Sequence, residues 1–571
     1  MRPGLGPRTL EMVHSAFHNT SLAYMPERGN VGRRSGEGRH VGTGRYAASM
    51  VAPELEEAPP PVHTTAPRDP SRIARRLGLT GALLMAGGAL GAGALPVPNP
   101  LFGLRVLGLP ARNITVSLAV TYAGLGLLVL SWLWVGKMLR ARGAVAPAPT
   151  LAQVGRTAVM WTVPLAVAPP LFSRDVYSYL AQSATLARGI DPYILGPAEA
   201  LGVDDPLVRS IPTIWRDTPA PYGPLFLMLG RGITALTGND IVLGILAHRL
   251  LALLGMALVV WALPQIARRC GVDAGLALWL GAANPLVLFH LVSGIHNEAL
   301  MIGLFLTGME IGLRASDRLL DPRFLGGAAL IVAASAVKLP ALLVLGFLGI
   351  DLARRRGGRV VDVAAAAGVL LGVTLVLYVP MSLVPEVGLG WATTLGVPGL
   401  IRSWMSVSTD LGLLGGQVGV LGGLGDHTDT ILPLFRAIGL AGAALACALL
   451  LWKTLKGTID PITGMAAGLG AVVLLGPVVH PWYLLWGLIP LAATKALPRY
   501  RRALLATSAV LALVEPPTGA DFNFRAYQLP MAIAAGLLIL ILVLLVQRRQ
   551  LAGGQGVDVD ALPGRSTRMP S

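Results

Sequence analysis

The 571-residue sequence predicts an all-α protein threaded repeatedly through a lipid bilayer, with about 12–14 transmembrane helices at the ~20 residues that a full span needs. Three observations carry that prediction. Hydrophobic residues make up 54% of the chain and charged residues only 13%, with mean hydropathy +0.64, which leaves too little polar surface to clothe soluble domains. The apolar residues fall in runs, at 77–95, 115–136, 154–172, 241–263, 274–291, 299–313, 324–336, 339–350, 360–379, 431–452, 462–479, 482–493, 503–514 and 529–546. Arginines and lysines cluster between those runs, as topology signals do. Several runs fall short of a full span and must tilt, borrow flanking residues or form half-helices.

Taken in order, residues 1–76 are rich in Gly, Pro, Arg and Ala without apolar periodicity, and read as a disordered basic cytoplasmic tail. They do not form a cleavable signal peptide, because the first apolar run begins only at Leu77, after Arg72, Arg75 and Arg76. Residues 77–546 form the transmembrane domain, and 547–571 a second cytoplasmic tail. An N-terminus inside places on one side the clusters Lys137/Arg140/Arg142, Arg268/Arg269, Arg314/Arg318/Arg323, 354–359, Lys453/Lys456, 495–502 and Arg548/Arg549. A multi-pass plasma-membrane protein with both termini cytoplasmic follows.

That orientation requires residues 222–237 not to cross, so they form a re-entrant or interfacial helix closing a large first outer loop, 173–240, which carries short helices. Residues 324–350 likewise enter and return, breaking at Lys338-Leu339-Pro340, because proline removes a backbone donor and clashes with the preceding turn. A second large outer loop covers 381–430.

Several function classes are excluded. The net charge of +16 is not arranged as a basic face interleaved with aromatics, so no nucleic-acid partner is expected. Two cysteines, Cys270 and Cys447, support neither a disulfide framework nor a thiolate site. Asp558-Val559-Asp560 superficially resembles a metal-binding DxD but lies in the short tail, and glycine pairs such as Gly87-Gly88 and Gly415-Gly416 suit helix packing rather than phosphate binding.

The unusual polar residues collect on the outer face. Ser173-Arg174-Asp175-Val176-Tyr177 follows the third apolar run, and Pro221-Tyr222-Gly223-Pro224, His296-Asn297-Glu298, Lys338, Arg402, His480 and Arg525 fall on the same side. Each also has a plain structural reading. Asp175 sits where a helix capped by Ser173 would favour a carboxylate, Lys338 is placed to snorkel outward, and Trp482 and Tyr483 read best as an aromatic belt. The convergence favours an extracytoplasmic active site over a transporter, whose ionisable groups more typically lie at the midplane. A polyprenyl-glycolipid transporter or flippase is the non-enzyme alternative.

An outer-face site on a chain with no nucleotide-binding domain suits transfer of a sugar from a lipid-linked donor. A lipid phosphate departs as a stable anion without a general acid, so one carboxylate suffices where glycoside hydrolysis needs two. A carboxylate with an ordinary pKa of ~4 is ionised at neutral pH and can accept the proton of an attacking hydroxyl. Positive or hydrogen-bonding groups should surround the phosphate, with Lys338, Arg402, Arg525, His296 and His480 as candidates.

Arg174-Asp175-Val176-Tyr177-Ser178-Tyr179, Asp191-Pro192-Tyr193, 218–224 (TPAPYGP) and 294–301 (GIHNEALM) resemble the polyprenol-phosphomannose-dependent α-1,6-mannosyltransferases of actinobacteria, which are GT-C membrane glycosyltransferases. The resemblance covers residues 77–546 in hydropathy and is strongest over 172–301. It implies an inverting transfer of mannose from polyprenyl phosphomannose to a growing α-1,6-mannan, the core of lipomannan and lipoarabinomannan, with a mannan or phosphatidylinositol-mannoside-type acceptor. It implies Asp175 as general base, with Arg174, Tyr177, Tyr222, His296, Asn297, Glu298, Lys338, Arg402, His480 and Arg525 as candidates for binding donor phosphate or substrate. The family motif often carries Asp where this chain has Glu298. No cofactor is assigned and a divalent cation stays open, since His-Asn-Glu alone is not a diagnostic ligand set. A GT-C transferase for another polyprenyl phosphosugar, arabinofuranose or glucose, is the enzyme alternative.

Overall fold

A computed structural model describes residues 70–141, 148–384, 387–393, 396–397, 399, 401–519 and 528–553. Every regular element among them is helical. The helices that matter here are α1 (Pro70–Ala92), α2 (Ile114–Arg140), α3 (Leu151–Val167), α4 (Asp175–Ala187), α5 (Pro224–Thr237), α6 (Ile241–Arg269), α7 (Ala274–Gly281) and α8 (Pro285–Ser293). They continue with α9 (Glu298–Gly312), α10 (Pro322–Ser335), α11 (Leu342–Arg355), α12 (Val360–Leu383), α13 (Val407–Leu421) and α14 (Thr428–Leu455). The last are α15 (Pro461–Leu475), α16 (Leu485–Leu491), α17 (Leu497–Val514) and α18 (Gln528–Gly553).

Among the described residues, five helices are long and apolar enough to cross a bilayer: α2, α6, α12, α14 and the 528–546 stretch of α18. The pair α7 and α8, bent by 45° at its break, makes a sixth when counted as one span. This is an all-α polytopic membrane protein. Fewer helices pass the length test than the about 12–14 expected at ~20 residues each, and the reasons are local. Lys338-Leu339-Pro340 splits one apolar stretch into α10 and α11, joined by a 3-10 turn over Leu339–Ala341. Arginines lie in the first turns of α1 and α17. Helix α1 starts at Pro70, ahead of the expected boundary at Leu77, taking Arg72, Arg75 and Arg76 into its opening turns. Helix α5, in the segment expected to be re-entrant or interfacial, has 14 residues and is too short to cross.

Between helices in lipid there is little hydrophobic driving force, so close approach through small residues and hydrogen bonding carry association. Helices α1 and α2 cross at Gly81 and Gly124, where a Cβ on Gly81 would come within 2.6 Å of the Gly124 carbonyl and one on Gly124 within 2.5 Å of the Gly81 carbonyl. Helix α7 is fixed to α2 by two buried tryptophans, each indole donating to the other's carbonyl: Trp279 Nε1 to Trp132 O at 2.9 Å and Trp132 Nε1 to Trp279 O at 3.3 Å.

A buried arginine organises the turns that carry the site. Arg249, on α6 and 2% exposed, donates to the carbonyls of Ala166 (3.1 Å), Ala168 (2.5 Å) and Ser293 (3.3 Å). These carbonyls lie at the C-terminal ends of α3 and α8, where the helix leaves its last acceptors without intrahelical donors. One guanidinium thereby holds together the ends of the two segments that lead into Asp175 and His296.

Candidate active site

The turn after α3 delivers Asp175. Phe172 lies in the left-handed region at φ 67°, and the Ser173 hydroxyl accepts a hydrogen bond from the Asp175 N–H at 3.1 Å; the N-cap position itself falls on Arg174, which makes no side-chain cap bond, so Ser173 closes the turn one residue ahead of the cap that the sequence suggested. The turn after α8 delivers His296 and also carries a left-handed residue, Ile295 at φ 58°. That conformation is costly for a β-branched side chain and persists where surrounding structure over-determines it, commonly at functional sites. The six residues Leu288–Ser293 leading into it form a π-helical turn, a second feature found often at functional positions.

The two turns meet. His296 Nδ1 lies 3.4 Å from Asp175 Oδ2, with His296 fully buried and the Asp175 side chain 20% exposed. Asp175 opens into a cavity of about 990 Å³ whose wall includes Arg174, Tyr222, Lys338, Arg402, His480, Trp482, Tyr483 and Glu515. Six separate chain segments, remote in sequence, thus contribute to one chamber.

Lys338 reaches it because Gly223 allows the first outer loop to press against the 336–338 turn. The Gly223 N–H donates to Val337 O at 3.0 Å, and a Cβ at Gly223 would lie 2.2 Å from the Ala336 carbonyl oxygen. The Lys338 ammonium pairs with the buried Glu298 carboxylate and lies 4.3 Å over the Tyr483 ring. Burial alone would lower the Lys338 pKa, but Glu298 and Tyr483 outweigh it and hold the amine above its ordinary value. Burial alone would raise the Asp175 carboxyl, but the His296 imidazole and the Lys338 charge hold it below the usual carboxylate value, so it is ionised at neutral pH. His480 is pushed down to about 4, chiefly by burial, and is neutral there.

Not every sequence candidate is a contact residue. Arg174 lines the cavity, but its guanidinium donates to Ser210 O (3.0 Å) and Leu95 O (2.9 Å), bracing the loop. Tyr177 is fully buried, with its hydroxyl donating to Ala94 O at 2.5 Å, and is absent from the cavity wall. His296, Asn297 and Glu298, expected at the outer surface, are 0%, 3% and 0% exposed and form a layer behind the wall. The chain turns at left-handed Ile295 between α8 and α9, and the triplet there is covered by Asp175 and Lys338. Arg525 lies outside the described residues, as do Asp558 and Asp560.

Trp482 and Tyr483 correct the aromatic-belt expectation. The Trp482 ring is sandwiched between His480 (centroids 4.5 Å apart) and His296 (3.9 Å), while Tyr483 supports Lys338. Sequence reasoning also missed Arg249, His290 and the role of Glu515. An ionisable residue inside an apolar run is the signal that marks the first two. Among the described residues no three His, Cys, Asp or Glu side chains converge as a metal-ligand group; Glu298 pairs with Lys338 and lies 3.9 Å from His296 Nδ1, while the Asn297 side chain makes no hydrogen bond.

Residues 75–354 match the family model described as alpha-(1->6)-mannopyranosyltransferase, N-terminal domain, and residues 408–545 match the MptB C-terminal domain. A probable alpha-(1->6)-mannopyranosyltransferase of Mycolicibacterium smegmatis is 46% identical over 501 residues, covering 84% of this chain and 89% of the relative. The chain belongs to the alpha-(1->6)-mannopyranosyltransferase family. An alpha-(1->6)-mannopyranosyltransferase of Mycobacterium tuberculosis is 43% identical over 82% of this chain and 86% of its own. Alpha-(1->6)-mannopyranosyltransferase B of Corynebacterium glutamicum is 39% identical over 82% of this chain and 81% of its own. Asp175, His296, Glu298 and Lys338 all lie within the N-terminal domain of this mannopyranosyltransferase family member, whereas His480, Trp482, Tyr483 and Glu515 come from the C-terminal domain. The cavity is walled by both.

Proposed function

We propose that this mannosyltransferase moves mannose from polyprenyl phosphomannose to a growing α-1,6-mannan at the extracytoplasmic face of the plasma membrane, with inversion and with Asp175 as general base. The observation that carries the reading is the placement of Asp175: a carboxyl group backed by His296 and opening into a large chamber that Lys338 and Arg402 also line. The acceptor hydroxyl attacks C1 of the mannosyl donor and yields its proton to Asp175. The new C1–O bond forms as the C1–O phosphate bond breaks, its electron pair leaving on the polyprenyl phosphate, so a β-linked donor gives an α-linked product.

Charge develops on the departing phosphate, and fixed positive groups stabilise it most where water is excluded. Arg402 supplies an exposed guanidinium, with Lys338 adding potential although its charge is shared with Glu298. Trp215, Trp391 and Trp404 add aromatic surface to the same wall, suited to an isoprenoid chain emerging from the bilayer. Both termini lie in the cytoplasm by the distribution of Arg and Lys clusters.

The test is radiolabelled mannose transfer from synthetic polyprenyl phosphomannose to a short α-1,6-mannoside, using purified full-length wild type and Asp175→Asn in detergent. Elongation by wild type with a loss of about 10²–10⁴-fold in Asp175→Asn supports donor, reaction and base together. Near-wild-type transfer by the variant removes Asp175 from that role. Transfer only from polyprenyl phosphoarabinofuranose or phosphoglucose changes the sugar.

A further inference from the structure

A second carboxyl faces the chamber. Glu515 follows the C-terminus of α17, lines the same cavity as Asp175, and keeps 18% of its side chain exposed to it. Its turn is joined to the Asp175 turn: Phe172 N–H donates to Pro517 O at 2.9 Å, and Gly519, at φ +66°, packs directly on the Ser173 backbone. The two carboxyls are therefore held in fixed register rather than drifting on independent loops.

Behind Glu515 stands His290, on the π-helical turn and 1% exposed, with Nε2 at 3.7 Å from Glu515 Oε2. This arrangement parallels His296 behind Asp175, and the two imidazoles lie 5.8 Å apart with Trp482 against both. The titratable groups facing Glu515 are His290 on α8 and Asp175 at the start of α4, with His296 and His480 across the Trp482 ring. No hydrogen bond engages the Glu515 carboxyl among the described residues, since 3.7 Å exceeds hydrogen-bond reach. A largely enclosed carboxyl that still opens to the cavity with unspent hydrogen-bonding capacity is oriented to meet a ligand.

We propose that Glu515 is a substrate-binding residue that works as the neutral carboxylic acid, donating a hydrogen bond to a sugar hydroxyl in the chamber while Asp175 stays ionised. This deepens the mannosyl-transfer reading and rests on it. Two nearby carboxylates in a confined site resist being ionised together. Burial, with the Asp175 charge adding to it, pushes the Glu515 carboxyl up to about 8. One carboxyl accepts a proton from the attacking hydroxyl and the other donates to a hydroxyl that must be recognised. A carboxylate at 515 would offer only acceptors and would lose the donated bond.

The experiment measures KM for the α-1,6-mannoside acceptor and, separately, for polyprenyl phosphomannose, across pH 6–9, for full-length wild type, Glu515→Gln and Glu515→Ala. In wild type one of the two KM values should climb by about tenfold as pH passes through about 8. Which of them climbs tells whether the recognised hydroxyl belongs to acceptor or donor. Glu515→Gln, isosteric and unable to ionise, should keep most of the affinity and abolish the climb; Glu515→Ala should raise the same KM by about tenfold at every pH. An identical alkaline climb in wild type and Glu515→Gln, or unchanged KM values in Glu515→Ala, overturns the assignment. Failure of wild type to use polyprenyl phosphomannose instead sinks the donor reading. Glu515 is then judged by isothermal titration of the same three proteins with α-1,6-mannobiose and with mannose 1-phosphate. A pH-dependent affinity abolished by Glu515→Gln supports the assignment, and equal affinities in all three overturn it.

Discussion

Lys338→Met isolates the energetics of the layer behind the chamber. Glu298 is fully buried, its Oε1 pairs with the Lys338 ammonium, and its Oε2 has no hydrogen-bond partner, only His296 Nδ1 at 3.9 Å. Removing Lys338 leaves a carboxylate out of water without its counter-charge, which costs about 3–5 kcal/mol, whereas replacing both members of a buried pair is often near neutral. The double variant Lys338→Met/Glu298→Gln should therefore recover most of the stability that the single variant loses. Glu298→Gln alone should fall between, because Lys338 retains 12% exposure and the faces of Tyr483 and Trp486. The assay is the apparent unfolding temperature of detergent-solubilised full-length protein at neutral pH, with the expected order wild type, double variant, Glu298→Gln, Lys338→Met. A Lys338→Met protein that melts with wild type, or a double variant no more stable than Lys338→Met, refutes the argument that Lys338 is held in place chiefly by a buried charge.

Four further outcomes are expected. The acid limb of kcat/KM should lie below the ~4 of an ordinary carboxylate, because His296 and Lys338 hold Asp175 ionised; a limb above that value in a pH–rate profile counts against Asp175 as the base. Burial lowers the His480 pKa to about 4 from an unfolded value of ~6.5, so the unfolded chain binds the extra proton first and stability falls as pH drops through that window. His480→Asn should make that part of a melting-temperature profile shallower. Gly223→Ala places a Cβ 2.2 Å from the Ala336 carbonyl oxygen, and the forced shift should cost about 1–3 kcal/mol along with much of the activity, read by melting temperature and transfer rate. Arg402→Gln removes an exposed cavity-wall charge and should raise donor KM by roughly tenfold or more with no change in melting temperature.

Much of the site was legible because its residues are locally anomalous. Asp175 announces itself as a carboxylate just after an apolar run with a capping serine ahead of it, and Lys338 as a cation beside a proline inside apolar sequence. Both line the chamber. The His296-Asn297-Glu298 triplet reads as surface chemistry by the same logic, yet it is buried beneath Asp175 and Lys338. Trp482 and Tyr483 follow the statistics of interfacial aromatics in sequence and become cavity wall in space. Arg249 and His290 disappear into apolar runs when those runs are scored only for hydropathy, although each is a buried polar group that the fold had to satisfy or expose to function.

Composition and charge placement determined on their own that this chain is an all-α membrane protein, and residue patterns over 172–301 pointed to its family, because bulk hydropathy and short motifs are local properties. The pairings were decided only by tertiary structure. Asp175 with His296, Glu298 with Lys338, and Glu515 with His290 are separated in sequence by 121, 40 and 225 positions and are brought together where broken helices and left-handed turns allow it. The charge state of a carboxyl depends on what surrounds it in space. For that reason the contrast between an ionised Asp175 and a protonated Glu515 could not be read from the chain alone.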